Sequence, residues 1–197
     1  QIDFSGAVGP VPQGGEVGAS DYRFELISNN AVLMPIDSSE AAVRAAGRVF
    51  GTFDTSKREF NFSNIDVRTN GGEIIGKGEL TLGEGSPEMV FALSVPKMSI
   101  ADAKHIWPAM FASGARRWVL AHVFGGQLSN SKIDISFGHG ALWPKKDPLK
   151  AILPTPEQIR ARFEIEGARF DTIGDLPPVR DANAIVEVAG ADTIITL

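Results

Sequence analysis

The sequence predicts a mainly β protein: a long antiparallel meander curled into a groove or an open, taco-like barrel, with a helical insert near residues 99–125. Three observations predict it. Apolar and polar residues alternate through most of the chain, the period of strands with one apolar face. Short clusters of Gly, Asn, Asp and Pro separate these runs, so the connections are hairpin-like and the strands antiparallel. Only Ser99 to Gly126 carries a helical period.

The strands follow in order. Ile2, Phe4, Gly6 and Val8 alternate with polar or small residues, and Gly9 to Gly18 is a loop rich in Gly and Pro. Tyr22 to Ile27 alternates again, Asn29-Asn30 signals a turn, and Ala31 to Ile36 returns as a further strand before a turn at Asp37 to Glu40. Val43 to Phe53 keeps Val43, Ala45, Gly47, Val49, Gly51 and Phe53 in phase. Asp54 to Lys57 turns the chain into Arg58 to Val67, where a parity switch at Ser63-Asn64 predicts a β-bulge. Thr69 to Gly72 is a hairpin turn. Glu73 to Leu82 crosses two small residues, Gly76 and Gly78, and Met89, Phe91, Leu93 and Val95 form the clearest alternation in the chain.

In the insert, Ser99 is an N-cap with Asp102 three residues on, a capping-box pattern with Asp in place of Glu. Pro108 ends or kinks this first helix. A second helix starts near Ser113, carries Trp118, Val119, His122 and Val123 on one face, and stops at Gly125-Gly126. Strands resume at Leu128 to Phe137. Residues 138–157 form a long irregular loop, and Ile159 to Phe170 is a strand pair or one strand bent at Gly167. Leu176-Pro177-Pro178 is a turn, and Ala182 to Val188 and Thr193 to Leu197 are the last strands.

Length and composition bound the function. The chain has 197 residues, 43% of them hydrophobic and 22% charged, enough for one β-rich domain over 1–197 with a real core. The net charge is −5, so no basic excess exists to bind a phosphate backbone, and nucleic acid is not an expected partner. Without cysteine, the chain has no disulfide, thiolate metal site or cysteine nucleophile. No run approaches the ~18 apolar residues of a membrane span. The chain begins and ends within strand-like runs, which reads as an internal fragment of a longer protein.

Each chemical motif has a plainer structural reading beside it. Gly71 to Gly78, G-G-E-I-I-G-K-G, matches most of a phosphate-binding loop, but Gly78 replaces the Ser or Thr and a strand follows where a helix is required. The glycines better suit a curved strand passing close to another backbone. His105, His122 and His139 lack the spacing of a helical metal pair, and no metal or other cofactor is expected. Glu164, Glu166 and Asp134 lie on the polar parity of their strands, and no acid/base pair or nucleophile triad is present. The chain therefore reads as non-enzymatic. Arg116-Arg117 beside Trp118 suits an anion site, an Arg stacked on indole, or snorkelling stems on a helix surface. Lys145, Lys146 and Lys150 suit an anionic surface or an ordinary loop.

Two stretches carry a family resemblance. Lys104 to Leu128, K-H-I-W-P-A-M-F-A-S-G-A-R-R-W-V-L-A-H-V-F-G-G-Q-L, resembles the helical signature of the large AsmA-like proteins of the Gram-negative envelope, the YhdP-type class, in which a Trp-Pro precedes an Arg-x-Trp helix, a Gly and a strand. The matching signature residues are Trp107, Pro108, Arg116, Arg117 and Trp118. Phe163 to Gly190, with its Leu176-Pro177-Pro178 turn, is similar to the family's repeat unit. The resemblance implies a TamB-related, repeating β-groove protein of the periplasm, anchored in the inner membrane, that moves phospholipid towards the outer membrane without catalysis or cofactor. Phospholipid and membrane-anchored envelope proteins would be its partners. The candidate groove residues are then Phe60, Phe62, Ile74, Leu80, Leu82, Met89, Phe91, Leu93 and Val95, which would offer acyl chains a surface of low polarity. The alternative is a closed, non-catalytic structural or interaction domain of the envelope, docking a partner through the Trp107 and Trp118 helices. The insert itself then reads as packing and capping, beside the strands that hold the lipid.

Overall fold

The computed structural model of the chain describes residues 4–10, 21–33, 42–107, 113–142, 153–171 and 177–197. Among them, eleven strands form one antiparallel sheet. In chain order they are β1 (Ser5–Pro10), β2 (Asp21–Leu33), β3 (Val43–Asp54), β4 (Glu59–Thr69), β5 (Gly72–Thr81) and β6 (Glu88–Ser99), then, after helices α1 (Ile100–Ile106) and α2 (Ser113–His122), β7 (Val123–Phe124), β8 (Gln127–Phe137), β9 (Ile159–Phe170), β10 (Val179–Ala189) and β11 (Asp192–Thr196). Apart from β7, which pairs β9, each strand pairs with the next, β6 pairing β8 across the helical insert, so β1 and β11 are the two edges and the sheet does not close on itself among the described residues. The meander with a helical insert predicted from the period-two pattern is the fold. Most strands run ten to thirteen residues, about twice the usual length.

Register explains how one face stays apolar. The bulge predicted at Ser63-Asn64 is present: Phe62 pairs Gly51 while Asn64 pairs Phe50, leaving Ser63 as the extra residue. This flips the parity once, so Phe60, Phe62, Ile65 and Val67 all reach the same side. A second bulge replaces an expected turn. Asn29-Asn30 does not end a strand, and no new strand begins at Ala31. Both asparagines lie inside β2, with the register slipping between Ser28 and Ala31. Arg44 Nη1 on β3 donates to Asn30 Oδ1 at 2.7 Å, so the asparagine is satisfied across the ladder and the strand carries on. Ile159 to Phe170 is likewise one strand, bent where Gly167 has φ 62°. The predicted turn at Asp37 to Glu40, most of the loop at Gly9 to Gly18, and Pro108, Trp143, Lys145, Lys146 and Lys150 lie outside the described residues.

The insert departs from its predicted capping box. Ser99 Oγ accepts from Asp102 N at 3.1 Å, as an N-cap should. The reciprocal arm is missing: Asp102 Oδ2 accepts from Gly71 N at 2.9 Å, on the β4–β5 turn. Ser99 N donates to Gly71 O at 2.8 Å instead. The shorter Asp side chain is thus free to reach the neighbouring hairpin, and it ties α1 to the sheet. Val123 is also not helical. It opens β7, whose two residues pair Phe170 and Arg169 and prolong the β9 ladder past the start of β8. Gly125 and Gly126, at φ 63° and 78°, make the break between β7 and β8.

The β3–β4 turn is held by one carboxylate. Asp54 Oδ1 accepts from Ser56 N, Ser56 Oγ and Lys57 N at 2.9, 2.6 and 3.0 Å. The Ser56 hydroxyl, then the Lys57 amide, lower its pKa to about 2. A depressed carboxyl stabilises the fold fully above its unfolded value of about 3.9 and loses that contribution as pH falls through about 2. Thermal melts of Asp54→Ala should therefore fall below the parent at pH 7, and the two should converge as the pH drops towards 2.

Candidate functional site

The antiparallel registers place apolar side chains in rows that cross the strands. One central row runs Phe24, Gly51, Phe62, Gly78, Phe91, Ile135, Ile159. The next runs Leu26, Val49, Ile65, Gly76, Leu93, Ile133, Ala161, Val188. A third runs Tyr22, Phe53, Phe60, Leu80, Met89, Phe137. Residues two apart on a strand share a face, so neighbouring rows lie about 7 Å apart. The opposite face carries the ion pairs Arg48–Glu25 at 2.6 Å, Arg68–Asp66 at 2.7 Å and Arg162–Glu187 at 2.8 Å. The sheet is therefore two-sided, with its charge on the outward face.

Burial varies across the apolar face in a pattern that describes a trough. At the strand end beside the insert, Val95 is 2% exposed and Met98 is fully buried. At the opposite end, Phe137 is 1% exposed and Leu142 is also buried. There the 138–142 turn is pinned to the β5–β6 loop, Ser86 Oγ accepting from Leu142 N at 3.0 Å and Ser86 O from Gly140 N at 3.0 Å. Between these rims, Phe62, Phe91, Leu93, Ile65, Ile133 and Ile135 are only half-buried. A sandwich would cover them with a second sheet about 10 Å away, and none is present among the described residues.

Glycine shapes the floor. Phe24 on β2 and Phe62 on β4 have ring centroids 5.7 Å apart, and so do Phe62 and Phe91 on β6. Each pair is rooted on strands two ladder spacings apart, about 9.6 Å, and closes over the glycine between them. A Cβ on Gly78 would lie 2.6 Å from Val90 O and within the Phe91 ring, and one on Gly76 would meet Ala92 O at 2.6 Å. The segment that mimics a phosphate loop is thus a strand whose glycines admit neighbouring side chains. Phe53 and Phe60, 4.4 Å apart, extend the aromatic cluster.

The predicted groove residues fall largely into this arrangement. Phe60, Phe62, Leu80, Met89, Phe91 and Leu93 occupy the three rows, and Ile74 pairs Val67 on the same face. Val95 lies under the rim, and Leu82 lies beyond the end of β5 and is 37% exposed. Phe24, Phe53, Ile65, Ile133 and Ile135 belong to the rows but were not among the candidates. Their alternation is plain within each strand, but only the cross-strand register shows which strands share a row.

Of the signature residues, Arg116 and Trp107 tie the two helices together. Arg116 is 2% exposed, and its Nε donates to Trp107 O at 2.9 Å, at the C-cap of α1. Burial rules out snorkelling stems for Arg116, and its guanidinium is committed to a helix-end carbonyl. Lys104, also buried, donates to Leu120 O at 3.3 Å and lies 5.1 Å from the centre of the Phe124 ring. Together these contacts join the two helices. Trp118 is 42% exposed and packs on His122, with centroids 5.5 Å apart, and Arg117 is exposed. His105 Nδ1 lies 2.6 Å from Ala101 O, and His139 Nε2 3.5 Å from Glu88. No group of three metal-binding side chains occurs among the described residues. The Ser129 hydroxyl, then Gln127, hold the Glu166 carboxyl below its ordinary range on the outward face.

Comparison of the chain with protein-family models, with curated proteins and with solved structures finds no match.

Arg116→Met should remove a charge-assisted hydrogen bond of about 1.5–3 kcal/mol from the insert. Amide exchange in α2 should then quicken about tenfold or more, while the β6–β8 ladder keeps its protection. Hydrogen-exchange mass spectrometry reads both.

Proposed function

We propose that this chain is a segment of a periplasmic protein, anchored through its parent in the inner membrane, that carries phospholipid acyl chains along an apolar β-trough between the inner and outer membranes. The observation that carries this reading is the pair of central rows: apolar, incompletely buried from β4 to β8, and running across the strands between two covered rims. Full burial of a Phe, Leu or Met side chain is worth about 1.5–3 kcal/mol, so each incompletely buried floor residue leaves about 0.5 kcal/mol to be gained from an apolar occupant, and the gain accumulates along a row.

The chemistry of the floor favours hydrocarbon over peptide. Its main-chain groups are spent in the ladders, and the two central rows offer no polar side chain from β3 to β9. A peptide laid there would leave its own N–H and C=O groups without partners, at about 1–3 kcal/mol each. An acyl chain has no such groups. The role is carriage rather than catalysis. The resemblance of Lys104 to Leu128 and Phe163 to Gly190 to AsmA-like envelope proteins supports the same reading, and the acidic chain gives no support to nucleic acid as a partner.

A second reading rests on Trp118. An indole 42% exposed on a helix suits a contact with an envelope protein. This reading predicts that Trp118→Ala abolishes partner capture and leaves bound lipid unchanged.

The lipid reading is tested by native mass spectrometry of the purified chain. Phospholipid should copurify. Phe91→Glu or Leu93→Glu should lower it about tenfold or more, because a charge on the floor opposes hydrocarbon, while Val90→Glu on the outward face should not. Circular dichroism checks that each variant keeps its strands. Equal lipid in the parent and the charged-floor variants would exclude the trough as the carrier.

A further inference from the structure

Asn70 and Gly71 make the tip of the β4–β5 hairpin, closed by the pair Thr69 and Gly72. Asn70 is the only asparagine of the chain followed by glycine. A glycine there leaves the asparagine side chain open to attack by the next main-chain nitrogen, because it carries no Cβ to hinder the approach. We propose that Asn70 is a modification site, a point of deamidation, that the docked insert guards: Asp102 keeps Asn70 intact while α1 is seated, and conversion of Asn70 loosens α1 from the sheet.

The reaction needs no enzyme, and water is its only co-reactant. The Gly71 nitrogen loses its proton and attacks Asn70 Cγ. The new N–C bond closes a cyclic succinimide, and the side-chain amide leaves as ammonia. Water then adds to a ring carbonyl and opens the ring, to aspartate or to isoaspartate, in which the main chain runs through the former side-chain carbon. Nothing is oxidised or reduced.

The seat of α1 opposes the first step. Gly71 N donates to Asp102 Oδ2 at 2.9 Å and to Thr69 Oγ1 at 3.2 Å. Its proton is held by these acceptors, and the anion left by losing it would face the Asp102 carboxylate. The Gly71 carbonyl accepts from Ser99 N at 2.8 Å, so the residue is fixed on both sides. Asp102 is 8% exposed and is itself placed by the N-cap, Ser99 Oγ accepting from Asp102 N at 3.1 Å. Asn70, by contrast, is exposed to the water that the second step consumes. The coupling is reciprocal. Isoaspartate would add a main-chain carbon at the hairpin tip and bring a second carboxylate beside Asp102. The Gly71 amide would then leave its acceptor, and α1, a seven-residue helix, would lose a tie it depends on.

The test ages the purified chain at mildly alkaline pH, folded and in concentrated urea. Mass spectrometry follows the tryptic peptides Thr69–Lys77 and Trp118–Lys132, which carry Asn70 and Asn130. Asn70 in the folded parent should convert about tenfold or more slowly than in urea, the factor that a hydrogen bond to a charged group is worth. Asp102→Ala should raise the folded rate towards the urea rate while Asn130 keeps the parent's rate. Asp102→Asn, which keeps an acceptor for the Gly71 amide without its charge, should fall between. The converted chain, separated by its added negative charge on ion exchange, should exchange its α1 amides about tenfold or more faster than the parent. Equal Asn70 rates in the folded and unfolded parent, or an unchanged rate in Asp102→Ala, overturns the guard. A parallel rise at Asn130 in both variants overturns it too, because the sheet as a whole then governs the rate. Unchanged α1 exchange in the converted chain overturns the coupling.

Discussion

A single β layer has two faces and a side-chain period of two, and no residue can belong to both. That constraint governs this molecule. Every apolar residue on the inner parity of β2 to β9 must find cover from its own neighbours, because no second sheet is packed against it among the described residues. The row Phe24, Gly51, Phe62, Gly78, Phe91 is the local answer. Large rings stand on alternate strands and fold over the glycines between them, so that the rings cover one another and the inner face stays open among the described residues. Aromatic contacts of this kind contribute about 0.5–1.5 kcal/mol beyond their buried area. They make the exposed floor tolerable without closing it.

The bulges serve the same end. The parity of the apolar residues switches once within β2 and once within β4, and a register slip absorbs each switch. The slips at Ser28/Ala31 and Phe62/Ile65 bring the next apolar residues back to the inner side. Ser131, 1% exposed, fills a comparable irregularity between β8 and β9. Its hydroxyl donates to Ser129 O at 2.9 Å and accepts from Glu164 N at 3.3 Å, in place of a regular ladder bond. These bulges also add bend and twist, which a flat sheet of this width would lack. The β6–β8 pair keeps an unbroken register from Met89 to Ser99, and the helical insert leaves and rejoins the sheet there.

The insert lies along one rim, at the ends of the strands, and not across the direction in which the rows run. Its buried charged residues are turned to its own carbonyls and to the adjoining hairpin. Arg116 closes the end of α1, Lys104 reaches α2, and Asp102 holds the Gly71 turn. A cluster of Trp, Arg and His has the composition of a binding site, yet Arg116 is spent on joining the two short helices to each other. Helices of seven and ten residues are marginal by themselves, so they depend on such ties.

The sequence by itself determined the fold class, most strand positions, the bulge at Ser63-Asn64, the Ser99 cap and the glycine character of β5. All of these follow from local rules, namely period two, turn chemistry and helix capping. It placed Phe60, Phe62, Phe91 and Leu93 on one face for the same reason. It did not reveal that Asn29-Asn30 continues a strand, that Asp102 leaves its own helix for Gly71, or that Phe24 and Phe53 join the floor. Asn30 depends on Arg44, 14 residues away, Asp102 on Gly71, 31 away, and Phe24 on Phe62 across two strands, and register between strands is set by the summed packing of both. Whether the apolar face is a closed core or an open trough was likewise a question of tertiary structure. Alternation is identical in the two cases, and what distinguishes them is whether a layer covers these incompletely buried side chains; among the described residues none does.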